Sequence, residues 1–172
     1  MKKVIPLAVA LINLQAYAQK IIEKNLDYNN RFIELDVKFA NEIEVKTWAK
    51  SSVYFKAYLT TTDGKYLDQY ELEIDESDDR IDIVSVAEPV FRKFQEEWNK
   101  NNPDKKKRYY NSGCYDYEFN YMLYVPKNAE FKVSSINGDL NSEVIEGVFR
   151  LRFPAYSAIS MSPLIRSALK SP

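Results

Sequence analysis

The chain has 172 residues, 45% hydrophobic and 28% charged, with only four glycines, which excludes disordered, collagen-like and low-complexity classes and fits one ordinary globular domain. Lysine and arginine number 24 against 25 acids, a formal net charge of −1, so no global electrostatic drive toward nucleic acid or anionic lipid exists. Histidine is absent, which removes the commonest general base, the commonest zinc ligand and the middle member of the usual nucleophilic triads.

The first feature along the chain is an export signal. Met1-Lys2-Lys3 is a positive start, residues 4–14 are uncharged and largely apolar, and Ala16-Tyr17-Ala18 has the small-x-small pattern that a signal peptidase accepts. This order predicts a signal peptide over 1–18, a mature chain beginning at Gln19, and a location in the periplasm, on the outer-membrane surface or outside the cell. Residues 4–14 fall well short of the ~20 needed to cross a bilayer, so no transmembrane span is expected in the mature chain. Loss of Lys2 and Lys3 leaves that chain mildly acidic. Cys114 is the sole cysteine, so no intrachain disulfide can form and the core must supply the stability. A buried small residue is the plain reading of Cys114, and an intermolecular disulfide the sharper one.

The mature chain reads as strands. Over 32–39, Ile33, Leu35, Val37 and Phe39 alternate with Glu34, Asp36 and Lys38, a period of two with one wet face. A short run with Ile43 and Val45 follows, then a third with Val53, Phe55, Ala57 and Leu59 facing away from Tyr54, Lys56 and Tyr58. Asp63-Gly64 offers a tight turn from which residues 66–74 are expected to return antiparallel. Residues 75–79 form the next turn, and 80–86 close the first half as a strand.

Over 88–111 the period changes. Val90, Phe94 and Trp98 are spaced by four behind Pro89, which predicts one short helix. Beyond it a polar stretch with Pro103 and Lys105-Lys106-Lys107-Arg108 reads as an exposed loop. Tyr115, Tyr117, Phe119, Tyr121, Leu123 and Val125 then alternate with polar or amphipathic partners, the strongest strand pattern in the chain. Pro126-Lys127-Asn128 ends it, and 131–135 begins another.

Residues 124–140, Tyr-Val-Pro-Lys-Asn-Ala-Glu-Phe-Lys-Val-Ser-Ser-Ile-Asn-Gly-Asp-Leu, resemble the repeat entry of a widespread bacterial family known as putative adhesins. A strand ending in Trp48 before a polar turn, followed by 53–57, is similar to that family's N-terminal part. The resemblance covers most of 19–147 and implies an exported or envelope-anchored protein whose short strands stack into a β-solenoid. In that reading Asn137, Gly138 and Asp139 are structural turn residues between rungs, and Val133, Ile136, Leu140, Val144 and Ile145 point inward. The expected fold is mainly β, with antiparallel strands leading into a β-solenoid or β-helix-like rung at 129–147 and one short helix. Residues 148–172 depart from the family pattern, with no acid, no glycine and three prolines. They read as an atypical tail, a truncated or altered C-terminus, after which stacking stops and an open solenoid edge invites self-association.

Candidate chemistry is sparse. Asp75, Glu76, Asp78 and Asp79 could attract calcium but lack the glycine and distal glutamate of a regular calcium loop, so a solvated turn is the plainer reading. Lys105, Lys106, Lys107 and Arg108 with Tyr109 and Tyr110 are candidate partner-binding residues, combining charge with stacking planes for a phosphate or an acidic polysaccharide. Thirteen tyrosines and nine phenylalanines support either cross-strand packing of Tyr54, Tyr58, Tyr117 and Tyr121 or a sugar- or protein-binding face. If Tyr121 is buried, Tyr124 and Met122 lie outside. No motif marks a carboxylate pair, and the single Ser-x-x-Lys falls in the tail at Ser167, so no catalytic, metal or cofactor site is expected. The sequence reading is an adhesin-like surface-binding or scaffolding protein, without catalysis, whose partner is an envelope protein or surface glycan and not nucleic acid. A periplasmic carbohydrate- or ligand-binding module, or a carbohydrate-active enzyme, is the alternative.

Overall fold

A computed structural model describes residues 19–103, 116–142, 149–152 and 159–161. Among the described residues eleven strands and one α-helix follow in chain order: β1 (Gln19–Asp27), β2 (Phe32–Val37), β3 (Phe39–Trp48), β4 (Ser52–Thr61), β5 (Glu71–Glu76), β6 (Arg80–Val86), α1 (Glu88–Asn101), β7 (Tyr117–Pro126), β8 (Phe131–Ser134), β9 (Asn137–Ser142), β10 (Phe149–Arg152) and β11 (Ile159–Met161). The larger sheet has the order β1-β4-β7-β3-β9-β11 and the smaller β10-β8-β2-β6-β5.

Alternation builds both sheets. In β4 the side chains of Val53, Phe55, Ala57 and Leu59 are buried while Tyr54, Lys56 and Tyr58 are only half-buried. In β7 Phe119, Tyr121, Leu123 and Val125 point the same way. The inner residues of β2 and β6, Ile33, Leu35, Val37, Ile81 and Ile83, join them in a single core. Replacing any of these large residues by alanine removes a fully packed side chain, a change that costs about 2–5 kcal/mol.

Mixed pairing corrects the expected architecture. β1 and β4, β4 and β7, and β5 and β6 are antiparallel, whereas β3 is parallel to β7 and β9, and β2 to β6 and β8. Neither sheet is closed, and neither is the uniformly parallel wall of a solenoid. Asn137, Gly138 and Asp139 do not turn the chain: they open β9, where Asn137 pairs with Phe39 and Asp139 with Glu42. Ile136, expected inside, is 49% exposed, while Val133 and Leu140 are buried as expected. Val144 and Ile145 lie outside the described residues.

Three other expectations are revised. Residues 42–46 are not a separate short strand, because β3 runs unbroken from Phe39 through a bulge before Glu42. The stretch after Asp63-Gly64 does not return along β4. Two short 3-10 turns, Thr62–Gly64 and Leu67–Gln69, carry the chain to the smaller sheet, where β5 pairs with β6. Asp63 and Tyr66 take positive φ there, 55° and 62°, geometry that turns the chain more sharply than a hairpin. Pairing also continues beyond residue 147, with β10 parallel to β8 and β11 parallel to β9. Pairs β2–β3, β8–β9 and β10–β11 each place one strand in either sheet.

Helix α1 forms where Pro89 sits in the first turn. Its Val90, Phe91 and Phe94 are buried, with Phe91 against Phe39 at 4.5 Å and Tyr117 at 4.9 Å. Trp98 is only half-buried. The helix thereby packs on the Phe39 start of β3 and the Tyr117 start of β7, and Asn102 caps it by donating from Nδ2 to the Trp98 carbonyl at 3.0 Å.

Candidate functional site

Register sets the composition of the outer face of the larger sheet. Because neighbouring strands share one pleat, Tyr54 stands opposite Tyr124 and Tyr124 opposite Lys46. One step along, Lys56 faces Glu23 and Met122, and Met122 faces Glu44. A further step brings Tyr58, Asn120, Glu42 and Asp139 into one row. These residues share the solvent side, opposite the core.

Three rings collect at the Trp48 end. Trp48 and Tyr124 have centroids 5.3 Å apart, Tyr54 and Tyr124 6.0 Å, and Trp48 and Tyr54 6.1 Å, all tilted. The tight connection after β3 fixes the indole, whose Nε1 donates to the Ser52 carbonyl at 2.7 Å. Lys50 places its ammonium 4.5 Å from the Trp48 ring, and Lys56 stands 4.6 Å from Tyr58. Such cation–ring contacts are worth about 0.5–1 kcal/mol at exposed positions. Lys46 and Lys56 are matched by Glu44 and Glu23, each at 2.6 Å. The Lys56 ammonium holds the Glu23 carboxyl below its usual range, and Glu23 with Tyr58 raises Lys56 in turn.

The opposite end is a polar cleft of about 690 Å³, lined by Asn41, Glu42, Glu118, Asn120, Asp139 and Asn141 among others. It opens where β3 bulges before Glu42. Asn120 donates from Nδ2 to Glu118 at 2.7 Å, and Asn41 Oδ1 accepts the Phe119 backbone N–H at 2.9 Å. Among the described residues no ion pair is made by Glu42, Glu118 or Asp139. Glu42 and Asp139 are direct cross-strand neighbours, an arrangement of like charges that costs stability.

The smaller sheet presents a different outer surface. Glu34 on β2 lies between Arg80 and Lys132, bonded to both, and Arg80 also reaches Asp82 at 2.6 Å. These charges are satisfied by one another. Both solvent faces carry ion pairs, and the larger sheet adds the aromatic cluster to its own.

Comparison with known proteins follows the fold. A putative cell adhesion protein from Clostridium sporogenes ATCC 15579 superposes with a TM-score of 0.51 at 10% identity, over 78% of this chain and 57% of that one. Two other solved structures are similar over 83% of this chain and 56% of their own: a putative adhesin from Bacteroides fragilis NCTC 9343, with 11% identity and a TM-score of 0.29, and one from Parabacteroides merdae ATCC 43184, with 11% and 0.36. The clostridial likeness is one of fold. This chain spans a little over half the length of each of these proteins. No family model matches the chain, and no curated protein does.

The partner-binding candidates Lys105, Lys106, Lys107, Arg108, Tyr109 and Tyr110 lie outside the described residues, as do Cys114 and the signal peptide expected over 1–18. Of the expected turn residues, Asp139 joins the outer-face cleft. Trp48 and Tyr124 carry more of the face than composition indicates, since strand register, which residue spacing does not encode, brings Tyr54 to Tyr124. The acidic 75–79 stretch is a hairpin end, held by Ser77 Oγ to Asp79 at 3.0 Å and by Arg31 to Glu76 at 2.7 Å. Among the described residues no group of three or more His, Cys, Asp or Glu is arranged to hold a metal ion. No described helix is long and apolar enough to cross a membrane.

Proposed function

We propose that this protein is an exported, adhesin-like domain of the cell envelope that acts by surface binding through the outer face of its larger sheet, without catalysis. The observation that carries the reading is the Trp48–Tyr54–Tyr124 cluster, three large rings retained on a solvent side. Aromatic residues with polar tips are what interfaces enrich, and these three stand half-buried together on a solvent side. Likeness in fold to the putative cell adhesion protein from Clostridium sporogenes supports an adhesin-like reading. The charge–apolar–small order of residues 1–18 supports export.

Expression of the full chain in a bacterial host, followed by fractionation and N-terminal sequencing, tests location: the product should leave the cytosol and begin at Gln19. A pull-down from solubilised envelope tests binding, with Tyr54→Ala/Tyr124→Ala expected to lose most of the captured material. Retention in the cytosol with Met1 intact, or capture unaffected in a folded double variant, would refute the reading.

A further inference from the structure

The outer face offers two chemistries in line along the strands, and together they restrict the ligand. We infer that it binds a neutral glycan laid along β3 and β7, with sugar rings stacked on Trp48, Tyr54 and Tyr124 and hydroxyls read by Glu42, Asn120 and Asp139. The inference rests on the surface-binding reading above and names its ligand.

Charge decides the class. At the aromatic end Lys46 and Lys56 are paired with Glu44 and Glu23, and Lys50 covers part of the Trp48 ring. At the cleft end Glu42, Glu118 and Asp139 make no ion pair among the described residues. An extended polyanion is repelled at the cleft, and an extended polycation meets at the rings the ammonium of Lys50, which makes no ion pair among the described residues. A neutral polyhydroxylated chain meets neither obstacle. Its apolar C–H faces suit the aromatic planes, and its hydroxyls can donate to carboxylates and exchange bonds with amides. Hydroxyl donors placed between Glu42 and Asp139 would also relieve the repulsion of that cross-strand pair.

Length follows from strand geometry. At ~3.3 Å per residue the face from Tyr124 to Glu118 is about 20 Å long, the span of roughly four pyranose rings.

Binding of the full chain to neutral tetrasaccharides of glucose and of N-acetylglucosamine, to their disaccharides and to tetragalacturonate, measured by calorimetry, tests this. At least one neutral tetrasaccharide should bind about tenfold more tightly than its disaccharide and than tetragalacturonate. Tyr124→Ala and Asn120→Ala should each weaken it by about tenfold or more. Preference for the acidic oligosaccharide, or neutral binding unchanged in both variants with wild-type dichroism, overturns the inference. If no saccharide binds while envelope capture still depends on Tyr54 and Tyr124, the glycan assignment fails and surface binding stands. If capture also ignores the face, both fail.

Discussion

Single side chains show where burial and hydrogen bonding disagree. Between the sheets Ser85 Oγ and the Tyr121 hydroxyl share a bond of 2.9 Å. Tyr70 lies beside them, 1% exposed, and its hydroxyl has no partner in hydrogen-bonding geometry. Burial pushes both phenols upward. An unpaired buried hydroxyl costs about 1–3 kcal/mol, so Tyr70→Phe should leave stability unchanged or raise it, whereas Tyr121→Phe should lower it by about 1 kcal/mol because Ser85 loses its partner. Urea unfolding of both variants checks this; a loss of more than about 1 kcal/mol in Tyr70→Phe would contradict it. Alternation in the sequence put Tyr121 on one strand face with Phe119 and Leu123 without deciding which face is buried, and no spacing rule could bring Tyr70 to it. Arg31 was equally illegible. It sits 7% exposed between the β1–β2 turn and the β5–β6 hairpin, donating to the Asp27, Tyr28 and Ser77 carbonyls and to Glu76.

At the scale of elements, helix α1 is tied to the connector before β5. Lys65 bonds Glu97 at 2.9 Å, the Tyr66 hydroxyl donates to the same carboxylate at 3.2 Å, and the Tyr66 ring packs edge-on to Phe94 at 5.0 Å. The Lys65 ammonium holds the Glu97 carboxyl below its ordinary value of 4.5. A lowered carboxylate stabilises the fold fully above that ordinary value and ceases to do so as pH falls through its own lower one. Glu97→Gln should therefore melt below wild type at neutral pH, with the gap narrowing as the solution is acidified past 4.5. Thermal melts at several pH values measure it, and a gap that widens in acid would reject the link. Element identity was readable here: Pro89 and the spacing of Val90 and Phe94 mark the helix, and period two marks β2, β4, β6 and β7. Partnership was not readable. Tight-turn residues at 63–64 imply a hairpin locally, yet positive φ at Tyr66 and the docking of its ring on Phe94 redirect the chain to the other sheet. The Asn-Gly pair at 137–138 is likewise turn-prone alone, but the free side of β3 supplies backbone partners that hold it extended.

Across the whole molecule, the end of the larger sheet is guarded. β1 has one neighbour among the described residues, β4. Its Lys20 and Lys24 take the inward parity shared with Ile22 and Leu26, and Lys20 Nζ donates to the Leu67 and Tyr70 carbonyls at 3.0 and 2.7 Å. Inward-set lysines on an outermost strand oppose pairing with another chain, because docking would bury their charge. Lys24→Val should increase association, seen as a shift to larger species in light scattering after chromatography, while Lys24→Arg should not. Equal behaviour of the two variants would remove the charge argument. The mainly-β class and most strand positions could be read in advance, while the site depended on pairings across long sequence separations. Residues near 54 and 124 share no local signal, only a register.

That register governs when the molecule can fold. β7 lies between β4 and β3, although more than fifty residues separate it from either. Until residues 117–126 are available, the two earlier strands have an empty lane between them and the ring cluster lacks Tyr124. Closing such distant contacts pays its entropy before its reward, so completion comes late and on the slower scale of β proteins. For the export proposed above, consolidation this late would keep the polypeptide threadable until residues 117–126 have passed a translocation pore.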